Sequence, residues 1–380
     1  MDFEFTAEQD ELRSTVRRFA RQEVAPVSRR IDQERRIPDE IMRGLASMGI
    51  LGMGLTPELG GMGASSIDIG IAVEELSTAD FVCGQMPIMG GLVAHALAQA
   101  SPSVRDEALP ALLDGETLVA FALTEPNAGS DASNILCLAE RTEDGYRLTG
   151  EKTSISNIGR ATACIVLARL EQRGITAFYV PIGASGASVS LFDDMGCRGI
   201  SRGALALDGV ELPESARIGA EGGGFQLVMN IFDLTRTLIG LSAVATATAS
   251  IKDAAEYTRH RVAFGVPIAA HQGVSLPLAE HLTRLEAARW LCYRALWLRD
   301  AGQPHTTEAA MCKWWCVTTA VDAIHAAMLV HGHSGYTSDL PHEQRMRDVI
   351  GMEWGDGTAQ IQKLVIARSL IGRDAVDARS

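Results

Sequence analysis

The amino-acid sequence predicts a mainly α-helical protein with a β domain in its middle third. Apolar residues recur at helical spacing through the first third of the chain. From about Thr117, short β-branched or alternating runs punctuated by Gly, Asn and Asp replace that spacing, as in an antiparallel sheet or small barrel. Helical spacing returns after the three glycines at 222–224. These changes predict a helical domain at 1–115, a β domain at 116–222 and a helical bundle at 223–380.

Capping residues and turn formers place the helices of the first domain. Thr6 and Gln9 form a capping-box pattern in front of apolar residues at helical intervals. Pro38 then opens a helix over 39–48, and Gly49 ends it. Two further buried helices and a closing segment are expected at 67–76, 90–100 and 110–115.

Periodicity also places the later elements. The strands expected in the β domain are 117–125, 146–150, 163–170, 174–182, 187–192 and 204–212. The long helices expected after it are 225–259, 275–299 and 307–331. In the last helix, apolar residues from Ala310 to Met328 recur three and four residues apart, which is typical of a packed helix bundle. Ligand sites in such an arrangement usually lie where the units meet.

The composition disfavours several classes of partner and site. Lys plus Arg number 34 and Asp plus Glu 47, and the net charge of -13 disfavours nucleic acid or an anionic membrane as partner. The longest uncharged stretch, 81–104, is interrupted by Gly, Pro and polar residues, so we expect no membrane segment. Seven cysteines without framework spacing, and an N-terminus without signal-peptide features, predict the cytoplasm. No metal site is expected, because neither Cys312 with Cys316 nor His331 with His333 has further ligands near it in sequence.

Two stretches are candidates for a ligand site. Asp356 stands between Gly355 and Gly357, directly in front of apolar residues at helical spacing. Glycine lets the backbone approach a ligand closely, and a helix start offers N–H groups and a partial positive charge, but an ordinary helix cap fits the same pattern. The loop 124–131 is a strand end followed by a turn rich in hydroxyl groups, in which Gly129 allows close approach of a ligand. An ordinary polar turn is the alternative there.

Four segments in order resemble the acyl-CoA dehydrogenase family of FAD-dependent flavoproteins. They are TEPNAGSD at 124–131, GEKTSISN at 150–157, RVAFGVPIAAHQ at 261–272 and YTSDLPHEQRMRDVIGMEWGDGT at 336–358. The resemblance implies an N-terminal helical domain, a β-barrel-like middle domain and a C-terminal four-helix bundle. It also implies FAD between the last two, in a homo-oligomer that is a tetramer or a dimer.

By position, the resemblance implies a set of ligand contacts. The residues expected along the isoalloxazine and its phosphate arm are Leu123, Thr124, Gly129, Ser130 and Ser156. Those expected to reach the FAD of a neighbouring subunit are Arg261, Phe264 and Gln272, with Arg261 on the pyrophosphate. The residues expected to close the cofactor site are Thr358 and Gln360. The residues expected to contact the substrate are Ser130, Arg236 and Gly357.

The reaction implied by the resemblance removes the α-proton of an acyl thioester with a carboxylate while the β-hydrogen leaves as hydride to flavin N5. The base would be Asp356, with a backbone N–H beside it and a ribityl hydroxyl stabilising the enolate-like oxygen. Some relatives carry the base at the position that Thr235 occupies here. Because threonine has no carboxylate, no second base takes over at that position. Glu353 is an alternative base. The acyl carrier would be CoA or an acyl carrier protein, and the electron acceptor an electron-transfer flavoprotein or oxygen.

The chain departs from the family pattern at the base itself. Most members carry Glu where this chain carries Asp356, which retracts the carboxylate by about 1 Å and can cost roughly 100-fold in rate. Asp occurs there in nitroalkane oxidases, whose substrates have more acidic α-carbons, so a nitroalkane-oxidising flavoenzyme is an alternative. A non-catalytic flavin-binding scaffold is another. Ser154 replaces the usual aromatic residue beside the flavin, while His333 and Leu329 replace the usual Gly and Gln. These departures favour a specialised enzyme for a small or polar acyl group.

Overall fold

The first domain is helical, as expected, in the computed structural model, which describes residues 4–377. Its helices are α1 (Ala7–Phe19), α2 (Ser28–Glu34), α3 (Asp39–Ser47), α4 (Ser66–Ala79), α5 (Phe81–Gly84), α6 (Met86–Leu97) and α7 (Pro102–Leu113). Thr6 and Gln9 form the expected capping box at the start of α1, each side chain accepting from the backbone N–H of the other residue. Helix α7 begins well before the closing segment expected at 110–115. Pro110, which the sequence pattern places at the start of that segment, lies inside the helix.

The first domain and the C-terminal helices share one hydrophobic core. Ile71 and Leu76 of α4 lie in the same buried cluster as Leu241 and Val317 of the C-terminal part. Burial of apolar surface is the main favourable term in folding. The two helical parts are therefore packed as one unit, with their contact surface inside the core.

Eight strands in the middle of the chain form a mixed sheet. They are β1 (Val119–Ala122), β2 (Leu138–Arg141), β3 (Gly145–Ile155), β4 (Ala163–Leu170), β5 (Gly174–Pro181), β6 (Ala187–Leu191), β7 (Gly203–Pro213) and β8 (Arg217–Ile218). Their order is β6-β7-β3-β2-β4-β5-β8, and β1 also pairs with β4. Both β1 and β2 run parallel to β4, which corrects the expected antiparallel sheet, because residue patterns carry no strand direction. The order runs from β6 at one end to β8 at the other.

Strand β4 is buried on both faces, which explains its uninterrupted apolar run. Ile165 and Leu167 enter one core together with residues of α6 and α7, while Cys164 and Val166 enter a second core inside the sheet domain. The first of these cores also contains Val228, near the start of the next helix. The sheet is therefore packed against both helical parts of the protein.

The chain after the sheet is helical again. Its helices are α8 (Gly224–His260), α9 (Gln272–Asp300), α10 (Thr306–Met311), α11 (Val317–His331), α12 (His342–Ile350), α13 (Ala359–Ile371) and α14 (Arg373–Val376). A short hairpin of β9 (Val262–Ala263) and β10 (Val266–Pro267) joins α8 to α9. The helix expected at 307–331 is divided by a π-helical segment, Cys312–Cys316. The domain limits that we propose at residues 115 and 222 fall between helices and strands.

Helix α8 is long and apolar enough to cross a membrane by length and composition alone. Its most apolar window has a mean hydropathy of 1.4, yet 71% of that window is buried inside the protein. No other helix within residues 4–377 passes the same test. Such burial is typical of the central helix of a helix bundle.

Candidate active site

Asp356 lies in a tight turn with a left-handed backbone. Its φ is 52° and that of Gly357 is 94°. Left-handed conformations of residues other than glycine are uncommon and cluster at functional sites. Thr358, not Asp356, caps α13, because the Thr358 hydroxyl accepts from the N–H of Ile361 at 3.4 Å. The helix-cap interpretation of Asp356 is therefore wrong, and its carboxylate faces another part of the chain.

The carboxylate of Asp356 meets a hydroxyl from α8. Thr235 Oγ1 lies 3.1 Å from Asp356 Oδ2 and also 3.1 Å from the carbonyl oxygen of Phe232, so its proton serves one acceptor or the other. Thr235 is only 3% exposed, whereas Asp356 is exposed. The two positions at which the resemblance places a base are therefore in contact. One carries the carboxylate, and the other carries a hydroxyl within hydrogen-bonding distance of it.

Two buried side chains hold the backbone of this turn. Lys313 Nζ donates to Met352 O at 2.6 Å and to Gly357 O at 3.0 Å. Gln362 Nε2 donates to Asp356 O at 3.1 Å and to Gly357 O at 3.3 Å. Both side chains are fully buried, and burial lowers the pKa of Lys313 to about 8, although the nearby Asp356 charge acts in the opposite direction. The turn is thus fixed from its buried side.

Sequence reasoning missed Lys313 and Gln362. Lys313 is the one charged residue in the apolar run 309–317, and a lysine at a buried helical position needs a partner. That signal shows that Lys313 is unusual but not which carbonyl oxygens it meets. Its partners lie some forty residues later in the chain and come together only in the fold.

Arg236 lies close to the same turn. Its NH1 is 3.3 Å from Asp233 Oδ1, and its guanidinium lies 5.5 Å from the centre of the Phe232 ring. The charge of Arg236 is one of the causes that lower the pKa of Lys313, while the alternative base Glu353 acts on Lys313 in the opposite sense. Arg236 Nε is buried without a hydrogen-bond partner in the described part of the chain. The fold thus groups the expected residues Asp356, Gly357 and Arg236.

A cavity of about 140 Å³ lies beside Thr235, between the first domain and α8. Its wall is mostly apolar side chains and glycines, and its polar members are Ser66, His95, Thr235 and Arg299. A cavity of about 150 Å³ in another protein holds one benzene molecule, so this one accommodates about six non-hydrogen atoms. Thr235 both lines the cavity and contacts Asp356, so the cavity lies next to the residue that meets the carboxylate.

The loop 124–131 is anchored by a buried ion pair. Lys152 Nζ lies 2.7 Å from Glu125 Oε1 and donates to Leu123 O at 3.0 Å, and both charged side chains are almost fully buried. Glu125 also accepts from the N–H groups of Leu136 at 2.6 Å and Cys137 at 2.9 Å. Charged groups at this depth require such partners. The start of the loop is therefore anchored to the sheet through Glu125.

The fold brings the two expected cofactor segments of the sheet domain side by side. The N–H of Thr153 donates to Thr124 O at 2.9 Å, which joins the strand that leads to Ser156 with the end of β1. Leu123, Thr124 and Ser156 are half-buried, and Gly129 and Ser130 in the loop after β1 are exposed. This leaves a polar surface at the edge of the sheet.

The other expected cofactor residues face outward from the single chain. Arg261 and Gln272 are exposed on either side of the hairpin of β9 and β10, and Phe264 at its tip is 96% exposed. An outward position is the one that contact with a neighbouring subunit requires. Gln360 is exposed in the first turn of α13, and Thr358 is half-buried at its cap. Their predicted contacts with FAD stay predictions.

Three buried cysteines meet in the core of the bundle. The Sγ atoms of Cys292, Cys312 and Cys316 lie within 4.8 Å of one another, and those of Cys292 and Cys316 are 3.6 Å apart. A structural zinc site takes four ligands, and this cluster supplies three. The sequence pattern did not indicate it, because Cys292 lies on a different helix from the other two. We assign these thiols to the packing of the core.

Comparison with known proteins decides the family. Three family profiles match the chain in order: the acyl-CoA dehydrogenase N-terminal domain over residues 6–116, the middle domain over 120–210 and the C-terminal domain over 222–371. The chain belongs to the acyl-CoA dehydrogenase family.

Individual relatives agree with that assignment. The chain is 35% identical to acryloyl-CoA reductase (NADH) of Anaerotignum propionicum, over 98% of this chain and 97% of that protein. It is 34% identical to the short-chain specific acyl-CoA dehydrogenase of Clostridium acetobutylicum, over 97% of this chain and 99% of that protein. The structure of butyryl-CoA dehydrogenase from Megasphaera elsdenii matches with a TM-score of 0.91 and 32% identity, over 98% of this chain and 100% of that one. The predicted fold and an oxidoreductase activity on CH–CH groups are thereby confirmed.

FAD is the cofactor of this member of the family. A structure described as the FAD complex of PigA matches it with a TM-score of 0.92 and 25% identity, over 98% of this chain and all of that one. The residues present fit the group, because an added Cβ on Gly129 would meet no described atom within 4 Å, which leaves room beside the loop backbone. Hydroxyl groups of Thr124, Ser130 and Ser156 lie along the same two segments and can donate or accept hydrogen bonds.

Proposed function

We propose that the protein dehydrogenates a short acyl thioester and that Asp356 removes the α-proton. The observation that carries this proposal is the position of Asp356. Its turn is fixed by Lys313 and Gln362, its carboxylate accepts from Thr235, and Thr235 lines a cavity of about 140 Å³. A thioester whose acyl chain enters the cavity past Thr235 has its α-carbon close to the carboxylate.

Several residues around Asp356 contribute to removal of the α-proton. The Thr235 hydroxyl orients one carboxylate oxygen, so the other can face the α-carbon. The N–H of Gly357, next to the base, is the proposed donor to the thioester oxygen as negative charge develops on it. Arg236, with its buried Nε, adds positive charge near the same oxygen. FAD, when bound, supplies the acceptor for the β-hydride.

The shorter base is compatible with this geometry because the backbone is unusual. Asp is one methylene shorter than Glu, and a displacement of about 1 Å would cost roughly 100-fold in rate if nothing compensated for it. The left-handed turn and the contact with Thr235 set the carboxylate directly against α8. A small acyl group can shift within the site to meet the carboxylate more easily than a long chain can. Asp356 together with the small cavity therefore supports a short acyl group.

Anaerobic mixing with a panel of possible substrates tests the proposal. The panel contains CoA and acyl carrier protein thioesters of two to eight carbons, together with nitroalkanes, and the readout is loss of the oxidised flavin absorbance. We expect reduction by short thioesters only. Reduction by nitroalkanes alone would show a nitroalkane-oxidising enzyme, and reduction by none of them would show a flavin-binding scaffold.

The Asp356→Glu variant sharpens this test. If the site is a retracted form of the usual one, a longer base increases the rate with ordinary acyl-CoA thioesters. A rate that falls at least tenfold would show instead that the chain is built around the shorter base. Electron-transfer flavoprotein as acceptor, a homo-oligomer and a cytoplasmic location follow from the sequence and stay predictions.

A further inference from the structure

Two buried carboxylates lie where α12 meets both the first domain and the sheet domain. Asp348, in α12, is 2% exposed, and Asp80, which caps α5, is 3% exposed. The charge of Asp80 acts directly on Asp348. We propose that this pair is a pH-sensitive switch, which keeps α12 and the Asp356 turn in their catalytic position only while Asp348 carries a proton. The inference rests on the proposed function, because it concerns the regulation of the same site.

Asp348 and its neighbour attach α12 to the sheet domain. The Asp348 carboxylate accepts from the N–H of Cys197 at 2.6 Å, and the Cys197 thiol donates to Asp348 O at 3.3 Å. Arg347 donates to Met195 O at 2.9 Å. An added Cβ on Gly196 would lie 2.0 Å from Arg347 O, so the two backbones are in direct contact. The loop between β6 and β7 therefore lies against α12 along three consecutive residues.

The same part of α12 is attached to the first domain. Arg347 donates to both carboxylate oxygens of Asp32 in α2, at 2.9 and 2.7 Å. Gln344 Nε2 donates to Ser28 O at 3.2 Å, and the Ser28 hydroxyl donates to Asp80 at 2.6 Å. Helix α12 is thus joined to α2 directly and to Asp80 through Ser28.

Helix α12 leads into the Asp356 turn. It ends at Ile350, and a single 3-10 turn at Gly351–Glu353 follows, within which Met352 O accepts from Lys313. Because the helix and the Asp356 turn are joined through this short segment, a displacement of α12 also displaces Asp356. A displacement of about 1 Å is enough to lower the rate roughly 100-fold.

The junction carries one negative charge fewer while Asp348 is protonated. Burial, and then the charge of Asp80, raises the pKa of Asp348 to about 8, so its carboxyl group is neutral at pH 7. Asp80 has donors of its own, the Ser28 hydroxyl and the N–H of Cys83 at 2.8 Å. Above pH 8 a second charge appears near Asp80 in the interior, where repulsion between like charges is strong. That repulsion favours separation of α12 from α5.

The cations of the junction are paired with other carboxylates. Arg347 is paired with Asp32 and, at 2.7 Å, with Glu343. Arg198 lies 3.9 Å from Asp32, and Arg202 lies 3.5 Å from Asp194. The charge of Asp32 acts on Asp348 in the same sense as that of Asp80. The titratable and charged groups around Asp348 are Asp80 and Cys83 at α5, Asp32 in α2, Asp194, Cys197, Arg198 and Arg202 in the loop, and Arg347 in α12.

The pH profile of flavin reduction in Asp348→Asn tests the switch. Asn has nearly the same shape, its amide oxygen can accept from Cys197, and it has no proton to lose in this pH range. With a short acyl-CoA thioester at saturation, we expect the wild-type rate constant to fall at least about fivefold between pH 7 and 9.5. The rate constant of Asp348→Asn should change less than about twofold. A wild-type rate that does not fall, or an equal fall in both proteins, would overturn the inference.

Labelling of Cys197 tests the junction without catalysis. Cys197 is 3% exposed, so N-ethylmaleimide reaches its thiol only when the loop separates from α12. Mass spectrometry of the FAD-loaded protein compares its labelling with that of Cys164, which is buried in a different core of the sheet domain. The ratio of Cys197 to Cys164 labelling should rise at least about fivefold between pH 7 and 9.5 in the wild type and stay constant in Asp348→Asn. A constant ratio in the wild type would overturn the inference.

Asp253→Asn is the matched control. Asp253, on α8, accepts from Arg345 of α12 at 2.7 Å, but its side chain is exposed, so the variant should show the wild-type pH profile and labelling ratio. If Asp348→Asn does not fold, the labelling ratio of the wild type carries the test. If no thioester reduces the flavin, the proposed function fails, whereas the labelling of Cys197 still shows whether the junction opens with pH.

Discussion

Replacement of Lys313 by Met should slow catalysis, because it releases the turn that carries Asp356. Met has a similar length and no charge, so it fills the volume but removes the donors to Met352 O and Gly357 O. Each hydrogen bond to a charged group is worth about 1.5 to 3 kcal/mol. Burial lowers the pKa of Lys313, so the variant also removes a charge that the protein interior disfavours. The net loss of stability should therefore be smaller than the sum of the two hydrogen bonds.

The rate should fall because the turn that carries Asp356 loses its buried attachment. A displacement of about 1 Å is expected to lower the rate of flavin reduction roughly 100-fold. Stopped-flow anaerobic reduction by a short acyl-CoA measures it, with FAD content and Tm recorded on the same sample. Lys363→Met is the control, since Lys363 lies over the Trp314 ring at 4.4 Å on the surface and should not affect the rate. Reduction of Lys313→Met at the wild-type rate would refute a positioning role for Lys313.

Three further substitutions test the roles of Thr235, of the buried Lys152–Glu125 pair and of Asp348. Thr235→Val should slow flavin reduction about tenfold without loss of FAD, because only the hydroxyl that orients Asp356 is removed; an unchanged rate in stopped-flow would contradict that role. Lys152→Met should lower the free energy of unfolding in urea by about 3 to 5 kcal/mol and lower the FAD content, because it leaves the buried carboxylate of Glu125 unpaired. The control Arg147→Met breaks an exposed ion pair and should lower the free energy of unfolding by less than about 1 kcal/mol. Burial raises the pKa of Asp348 to about 8, so between about pH 4 and 8 the native state retains a proton that the unfolded state has released. The wild type should therefore lose stability relative to Asp348→Asn as the pH rises from 5 to 8, and it should show no further loss above pH 8. Equal pH dependence of stability in the two proteins would refute a raised pKa for Asp348.

The sequence was sufficient for elements whose patterns are local. The capping box at Thr6 and the span 163–170 of β4 agree with the structure, because side-chain capping and a doubly buried strand leave their mark within a few residues. The direction of β1 and β2 relative to β4 could not be read, since it depends on how the chain returns to the sheet. The break at Cys312–Cys316 was equally invisible in an otherwise helical pattern.

In the candidate site too, the sequence identifies the residues with a local pattern and not those that depend on tertiary contacts. Asp356 could be singled out because its motif carries a family resemblance, yet its local pattern favoured a helix cap that belongs to Thr358. Lys313 was not found, because its role depends on carbonyl oxygens distant in sequence. His95 and Arg299 were not found either, since they come from different helices and share only a cavity. Each of these depends on tertiary contacts that no window of sequence contains.

The measurement that bears most directly on the central claim is flavin reduction in Asp356→Asn. Asn keeps the shape of the side chain and can still accept from Thr235, but it cannot take a proton at neutral pH. We expect a variant that binds FAD and short acyl-CoA thioesters as the wild type does, with flavin reduction slowed by at least about a thousandfold, within the range over which a lost general base acts. Reduction at a rate within tenfold of the wild type would contradict it and move the base to Glu353 or another group.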